Sequence, residues 1–390
     1  MPQVNRFRHQ AYTTTPPTSP HHLLRPGSYP DVGSSEFRRR MARVGTTLRA
    51  QRVAALYLAH GTFVGPDALG ALVELARIYP SASSPVRRLI KRIMDKITGE
   101  VGNYTGRYAR QLESAIRPSD QARIPVWRFH WSSENNHIGR ADGAVRLIDE
   151  LLALGLEPGQ RVLLWGHSHA GNVFALATNL LAGNREAVEA FFHAAEIYYR
   201  WPVVGCVDIP VWDRVRDALL ADRPPLADVP LDIVTFGTPI RYGWDSGGYA
   251  RLLHFIHHRP ADGLPEYRAP FPVKLENVLS AAGGDYVQQL GIAGTNIAPG
   301  LFAWRARLAD QRLGRLLQAN EPTGGVLERF KAGAIVPEEG TSLLVDYGPA
   351  QGHIAQHFAG HAVYTRSEWM LFHAEEVARR FYGEGATRAA

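Results

Sequence analysis

The chain has 390 residues, of which 45% are hydrophobic and 21% charged, so it can bury one large core or two smaller ones. Its net charge of +6 comes from 43 Lys and Arg against 37 Asp and Glu, with no Lys-rich tail or nucleic-acid motif. That balance argues against nucleic acid as a partner and leaves a transient attraction to anionic membrane surfaces. The single cysteine, Cys206, excludes an intrachain disulfide framework.

Residues 1–35 are rich in Pro, Ser, Thr and His and lack the unbroken apolar stretch of a signal peptide. They are expected to form a disordered tail. No apolar run elsewhere approaches the length that spans a bilayer, so the expected location is the cytoplasm, with signal-less export left open. Residues 36–390 are then expected to form one domain.

The first half of that domain alternates strands with helices. Strands are expected at 53–59, which ends in a Gly-bearing turn, and at 124–131. Between them, residues 66–118 are an expected insertion that includes an amphipathic helix at 86–97 with a basic face. This helix either covers the site as a lid, rests on an anionic membrane or packs on the body of the domain.

The second half continues the alternation, and a loop first leads into a helix closed by Gly155. Residues 263–340 are interrupted by Gly and Pro and read as a second, helical insertion. Further strands are expected at 161–166, 230–240, 250–260 and 341–348, and helices at 170–181, 185–199, 211–221 and 367–382. The pattern predicts an α/β fold with a mostly parallel sheet and helices on both faces.

The segment Gly166-His167-Ser168-His169-Ala170-Gly171 joins a buried strand directly to a helix. A nucleophilic serine needs its Oγ lifted clear of the sheet edge, and the tight turn that does this crowds the neighbouring Cβ atoms. The positions two residues either side must therefore be small, and here they are Gly166 and Ala170, with Gly171 beside the latter. The alternative is that Ser168 is simply the N-cap of the helix.

In their order and context these segments resemble the α/β-hydrolase superfamily, in particular lipase-like serine hydrolases. The stretch LAHGTFVG resembles the oxyanion loop, FHWSSENNHIGRADGAVRLIDELL the strand, loop and helix before the nucleophile, and VTFGTPI the strand end after it. The resemblance covers about residues 53–382. It implies the α/β-hydrolase fold with helical lid or cap insertions, and a Ser-His-Asp triad.

The resemblance also implies the chain order serine, acid, histidine. Asp262 is expected to be the acid, because it follows an apolar strand on a loop that contains Pro and Gly. Asp245, Asp285 and Asp346 are its rivals. The alternative for Asp262 is that it only shapes a turn.

His361 is expected to be the base, since it lies between the last strand and the final helix in a GHAVY context that resembles the lipase-like histidine loop. His353 is its rival. The four-residue spacing of His353, His357 and His361 could place three imidazoles on one helix face for zinc. Gly352, Gly360 and the lack of an H-E-x-x-H motif argue against this, so neither a metal nor a cofactor is expected.

The oxyanion hole is expected to combine two backbone amides. One is the N–H of His169, and the other is that of Thr62 or Phe63 in a turn shaped by His60 and Gly61.

These residues together predict a lipase- or esterase-like enzyme of lipid metabolism that cleaves carboxylic esters, preferably of lipid or phospholipid type, through an acyl-enzyme. One alternative is acyl transfer to a non-water acceptor, which shares the same intermediate. Another is a non-catalytic binding protein on the same scaffold. The least supported is a secreted anti-bacterial phospholipase effector.

Overall fold

The structure is a computed structural model that describes residues 7, 15–62, 102–117, 122–201, 206–224, 226–294, 296–300, 303–317, 325–350 and 354–383. The expected helix at 86–97 lies outside these ranges. The strands are β1 (His21–Leu24), β2 (Val53–Ala59), β3 (Val126–Phe129), β4 (Arg161–His167), β5 (Leu231–Phe236), β6 (Arg251–His257) and β7 (Thr341–Val345). They form one sheet, in the order β1-β7-β6-β5-β4-β2-β3, and every pair is parallel. The α/β class is therefore confirmed.

Helices lie between the strands in the chain and cover the sheet. They are α1 (Ser35–Ala50), α2 (Gly106–Ala115), α3 (His137–Ala153), α4 (Ala170–Leu181), α5 (Arg185–Tyr199), α6 (Pro210–Leu219), α7 (Leu275–Ser280), α8 (Tyr286–Gly294), α9 (Trp304–Leu317), α10 (Gly325–Ala332), α11 (Ile354–His357) and α12 (Met370–Tyr382). Within the described ranges, no helix is both long and apolar enough to cross a membrane.

The sheet divides the core into two layers, because successive side chains of a strand point to opposite faces. Tyr57 and Leu164 join the layer beneath α3, α4 and α5, whereas Leu56 and Leu163 join the layer beneath α1, α2 and α12. Since both faces are buried, the central strands read as continuous apolar runs. The carboxyl ends of the parallel strands meet at one edge of the sheet.

The expectation of a disordered tail over residues 1–35 is wrong for its described part. β1 pairs in parallel with β7, from His21 opposite Ser342 to Leu24 opposite Val345. Phe7 is also buried, packed in the core. The bonds of a strand come from the backbone, so a short edge strand forms from polar residues that composition alone assigns to disorder.

Part of the second insertion belongs to the body of the domain. Residues 263–340 contain α7, α8, α9 and α10, and α9 packs against both α3 and α5. Its Leu313 and Leu317 are fully buried in the core. The carboxylate of Asp310 accepts a hydrogen bond from the backbone N–H of Ile138 at 3.0 Å. This contact fixes α9 at the N-terminus of α3.

A buried histidine on α12 predicts loss of stability in acid. His373 packs against the rings of Phe236 and Phe255 at 4.9 and 5.0 Å, and its Nε2 bonds to the hydroxyl of Tyr347 at 2.8 Å. Burial lowers the pKa of His373 from 6.5 to about 3. As the pH falls, the imidazole of His373 therefore binds a proton in the unfolded chain before it does so in the folded one. The free energy of unfolding falls as the pH drops from about 6.5 towards 3, by up to about 1.4 kcal/mol per pH unit.

Replacing His373 with leucine is expected to flatten the pH dependence of stability between about pH 6 and pH 4 by up to that slope. Urea unfolding at a series of pH values measures it. A slope identical to that of the parent chain would contradict the assignment of this proton to His373.

Candidate active site

Ser168 stands at a strained corner on the carboxyl edge of the sheet. It lies between His167, the last residue of β4, and His169, the N-cap of α4. Its φ of 56° is in the left-handed region, which is costly for a residue with a Cβ. Its N–H donates to the carbonyl of Phe236 at 2.8 Å, and its carbonyl accepts from Thr238 Oγ1 at 2.7 Å. The end of β5 therefore holds the serine in this conformation.

The small residues around Ser168 are required by contacts. A Cβ at Gly166 would lie 2.6 Å from the ring of Phe174, and one at Gly171 would lie 2.3 Å from Thr238 Oγ1. Ala170 is completely buried at the first position of α4. The Ala in place of the second Gly of the G-x-S-x-G pattern is therefore compatible with the corner.

The turn after β2 lies against the serine, as the oxyanion interpretation requires. A Cβ at Gly61 would lie 2.7 Å from Ser168 Cβ and 3.3 Å from Ser168 Oγ. Trp131 Nε1 fixes the turn by donating to the carbonyl of His60 at 2.8 Å, and the two rings stack at 6.1 Å. Thr62 is half-buried in the same turn. Phe63, the other expected amide donor, lies outside the described residues.

His169 supplies the second expected amide. Among the hydrogen bonds of the residues that the structure describes, none is donated by the backbone N–H of His169. Its buried ring accepts a hydrogen bond from Asn172 Nδ2 at 3.0 Å. Burial, with the nearby guanidinium groups of Arg140 and Arg241, lowers the pKa of His169 well below its ordinary value. The ring is therefore neutral at pH 7.

Replacing Gly61 with alanine is expected to lower kcat about 10- to 100-fold while the protein stays folded. The added methyl group would have to push the Ser168 Cβ or the turn after β2 out of place. The kcat for ester hydrolysis and the melting temperature, measured for the variant and the parent, test this. Gly27 is a matched control, because a Cβ there meets nothing within 4 Å. Full activity in Gly61→Ala would contradict the close approach.

The carboxylate that reaches His361 is that of Asp285. His361 Nδ1 lies 2.7 Å from Asp285 Oδ2, and the two side chains are 5% and 0% exposed. The hydroxyl of Tyr364 donates to the same oxygen at 3.0 Å, and the N–H of Gln288 donates to Oδ1 at 2.8 Å. Burial alone would raise the pKa of Asp285, but the imidazole of His361 and the backbone N–H of Gln288 outweigh it and lower that pKa. Asp285 is therefore ionised and orients the imidazole.

A glycine at the end of β5 makes room for this carboxylate. Gly237 has a φ of 57°, and a Cβ on it would lie 2.6 Å from Asp285 Oδ2 and 2.5 Å from the Tyr364 ring. Both the backbone angle and the close approach require glycine at this position.

The assignment of the acid to Asp262 is corrected by this geometry. Asp262 is exposed in a loop, whereas the N–H of Asp285 donates to the carbonyl of His257, the last residue of β6, at 2.9 Å. The N–H of Arg259 also donates to the carbonyl of Gly283 at 3.1 Å. Residues 258–284 therefore leave the end of β6 and return to it. Asp285 therefore lies next to the end of β6 in space, although residues 258–284 separate the two in sequence.

The other rivals are occupied elsewhere or lie outside the described residues. Asp245 accepts from the N–H of Gly247 at 2.9 Å and caps a short turn before β6. Asp346 forms ion pairs with Arg25 at 2.9 Å and Arg259 at 3.2 Å. His353 lies in the undescribed stretch 351–353. In the described part of the chain, no group of three His, Cys, Asp or Glu side chains could hold a metal ion.

The Asp285–His361 pair and Ser168 lie on the same edge of the sheet. The ring of His361 is 4.4 Å, centroid to centroid, from that of His167, the residue before the serine. The contacts of the described residues do not include a hydrogen bond from Ser168 Oγ to an imidazole. Such bonds are often long in ligand-free enzymes and tighten when substrate binds.

Comparison of the chain with models of known protein families, with curated proteins and with solved structures finds no match.

Proposed function

We propose that the protein is a serine hydrolase with an α/β-hydrolase fold that cleaves carboxylic esters. The observation that carries this proposal is a buried Asp285–His361 pair at 2.7 Å beside a serine held in a left-handed conformation at a strand–helix junction. A helix cap needs neither the strained φ nor an oriented imidazole nearby. A serine nucleophile on a strand–turn–helix elbow has such a strained backbone, and it needs an imidazole to take its proton.

The proposed reaction gives each of these groups a role. His361 donates Nδ1–H to Asp285, which leaves the lone pair of Nε2 to take the proton of Ser168 Oγ as that oxygen attacks the ester carbonyl. The N–H of His169 and an amide of the 60–62 turn stabilise the tetrahedral oxyanion. Collapse of the intermediate expels the alcohol, which receives the proton from His361. Water then attacks the acyl-enzyme with His361 again as the base, and releases the carboxylic acid and free Ser168.

Exposed apolar side chains near His361 support esters with long acyl chains. Phe358 on the turn before His361 is 54% exposed, and Leu275 and Leu279 on α7 are 73% and 50% exposed. Leu290 on α8 is 49% exposed, and both helices pack against the 358–360 turn. Exposed apolar side chains on this turn and on the helices that contact it favour a substrate of lipid or phospholipid type.

Release of carboxylic acid from soluble butyrate esters, long-chain esters and phospholipid vesicles tests the proposal. We expect hydrolysis that depends on Ser168, with kcat/KM at least about 10-fold higher for the long-chain ester, since added methylenes contribute about 0.8 kcal/mol each when buried. Leu275→Ser is expected to lower the rate on vesicles and not that on butyrate. Absence of hydrolysis of every ester would overturn the proposed function.

A further inference from the structure

Two buried imidazoles bond to successive carbonyls of the chain at His361. His257 Nδ1 lies 3.1 Å from the carbonyl oxygen of Gly360, and His167 Nε2 lies 3.0 Å from that of His361 itself. A carbonyl only accepts, so both ring nitrogens must carry hydrogen. The contacts therefore fix His257 with hydrogen on Nδ1 and His167 with hydrogen on Nε2.

The two rings lie at the ends of sheet strands, while the segment that they hold is a strained turn. His167 ends β4 and His257 ends β6. Immediately before His361, Phe358, Ala359 and Gly360 have φ of 48°, 52° and 89°. Left-handed residues with a Cβ are strained and persist only where surrounding contacts fix them.

Both rings donate without adding charge beside His361. Burial lowers the pKa of His167 to about 3, and burial also lowers that of His257. The imidazolium that forms on His361 during the reaction is thus spared a neighbouring cation, which a Lys or Arg donor would have supplied. The ring of His167 also packs against that of His361 at 4.4 Å.

We propose that His167 and His257 are positioning residues. They hold the two peptide groups that flank the Cα of His361, so that the Nε2 of His361 points at Ser168. This inference rests on the proposed function of that site. It also assigns a role to the residue between Gly166 and Ser168, which the G-x-S-x-G pattern leaves unspecified.

Replacing each histidine with Gln or Asn tests the two hydrogen bonds separately. The amide nitrogen of Gln reaches about as far from the backbone as His Nε2, and that of Asn about as far as His Nδ1. His167→Gln and His257→Asn therefore keep the donor, whereas the mismatched variants His167→Asn and His257→Gln displace it. The readouts are kcat for ester hydrolysis and the second-order rate of labelling by a fluorophosphonate, measured well below the melting temperature of each variant.

We expect the matched variants to stay within about 5-fold of the parent and the mismatched ones to fall about 100-fold, as for a 1 Å displacement of a catalytic group. Equal rates within each matched and mismatched pair would overturn the inference. A parent protein that neither hydrolyses esters nor reacts with the probe would instead overturn the proposed function. An active parent with unaffected variants would overturn only the positioning role.

Discussion

Replacing Ser168 with alanine is expected to lower kcat/KM for ester hydrolysis by about 10⁴- to 10⁶-fold, the range over which triad nucleophiles act. The variant keeps the oxyanion amides and the Asp285–His361 pair, so a small residual rate over water should remain. Steady-state hydrolysis of a soluble ester measures the loss.

Ser168→Gly is the matched control for folding. It removes the same hydroxyl and also relieves the left-handed strain at a φ of 56°. We therefore expect it to be as inactive as the alanine variant but more stable, by about 1 kcal/mol. Activity retained in either variant would show that Ser168 is not the nucleophile. A lower stability for Ser168→Gly would contradict the strain at this corner.

Replacing Asp285 with asparagine is expected to lower kcat by about 10⁴-fold. Both carboxylate oxygens accept from donors: Oδ2 from His361 and Tyr364, and Oδ1 from the N–H of Gln288. Whichever way the amide is turned, its NH₂ group must face a donor. If the NH₂ group faces His361, it donates to Nδ1, and the neutral imidazole must then carry its own hydrogen on Nε2. That is the nitrogen that must accept the proton of Ser168. The pH–rate profile of kcat measures this loss together with any change in apparent pKa.

Asp262→Asn is the control for that measurement. Its side chain is exposed in the loop after β6, so the change is expected to leave kcat within about 2-fold of the parent, as is usual at surface sites. A large loss in Asp262→Asn with none in Asp285→Asn would restore the original assignment and contradict the structure.

The elements around the nucleophile could be predicted because their signals are local. The apolar run before Ser168, the small residues beside it and the helical pattern after it all lie within about one strand and one helix. The structure has the helix at Ala170–Leu181, the range that the pattern predicts. The position of the glycine turn after β2 beside Ser168 could also be predicted, because the carboxyl ends of parallel strands meet at one edge of the sheet.

The acid could not be fixed from the sequence because its position depends on long-range contacts. Asp262 and Asp285 both follow the same apolar strand in sequence, and the hydrogen bond from the N–H of Asp285 to the carbonyl of His257 shows that Asp285 is the one that returns to the sheet edge. The signal that could have favoured Asp285 is Gly284, whose φ is 116° and whose Cβ would lie 2.2 Å from that same carbonyl. A Gly before a candidate acid indicates a close backbone approach.

Two other features depend on partners far away in the chain. β1 forms because β7, more than 300 residues later, offers an unpaired edge. The bonds from His167 and His257 to the turn before α12 are likewise made across the fold, and the G-x-S-x-G pattern does not specify them. Composition and periodicity report on side-chain burial, which decides neither edge pairing nor side-chain bonds to a distant backbone.

Mapping the adduct formed with a fluorophosphonate tests the central claim most directly. Attack by a serine oxygen on phosphorus expels fluoride and leaves a stable phosphonylated residue, provided that an imidazole removes the serine proton. Mass spectrometry of the digested protein should find one adduct, on Ser168, that forms at least about 10³-fold more slowly in His361→Ala. An adduct on another residue, or labelling that is as fast without His361, would contradict the triad.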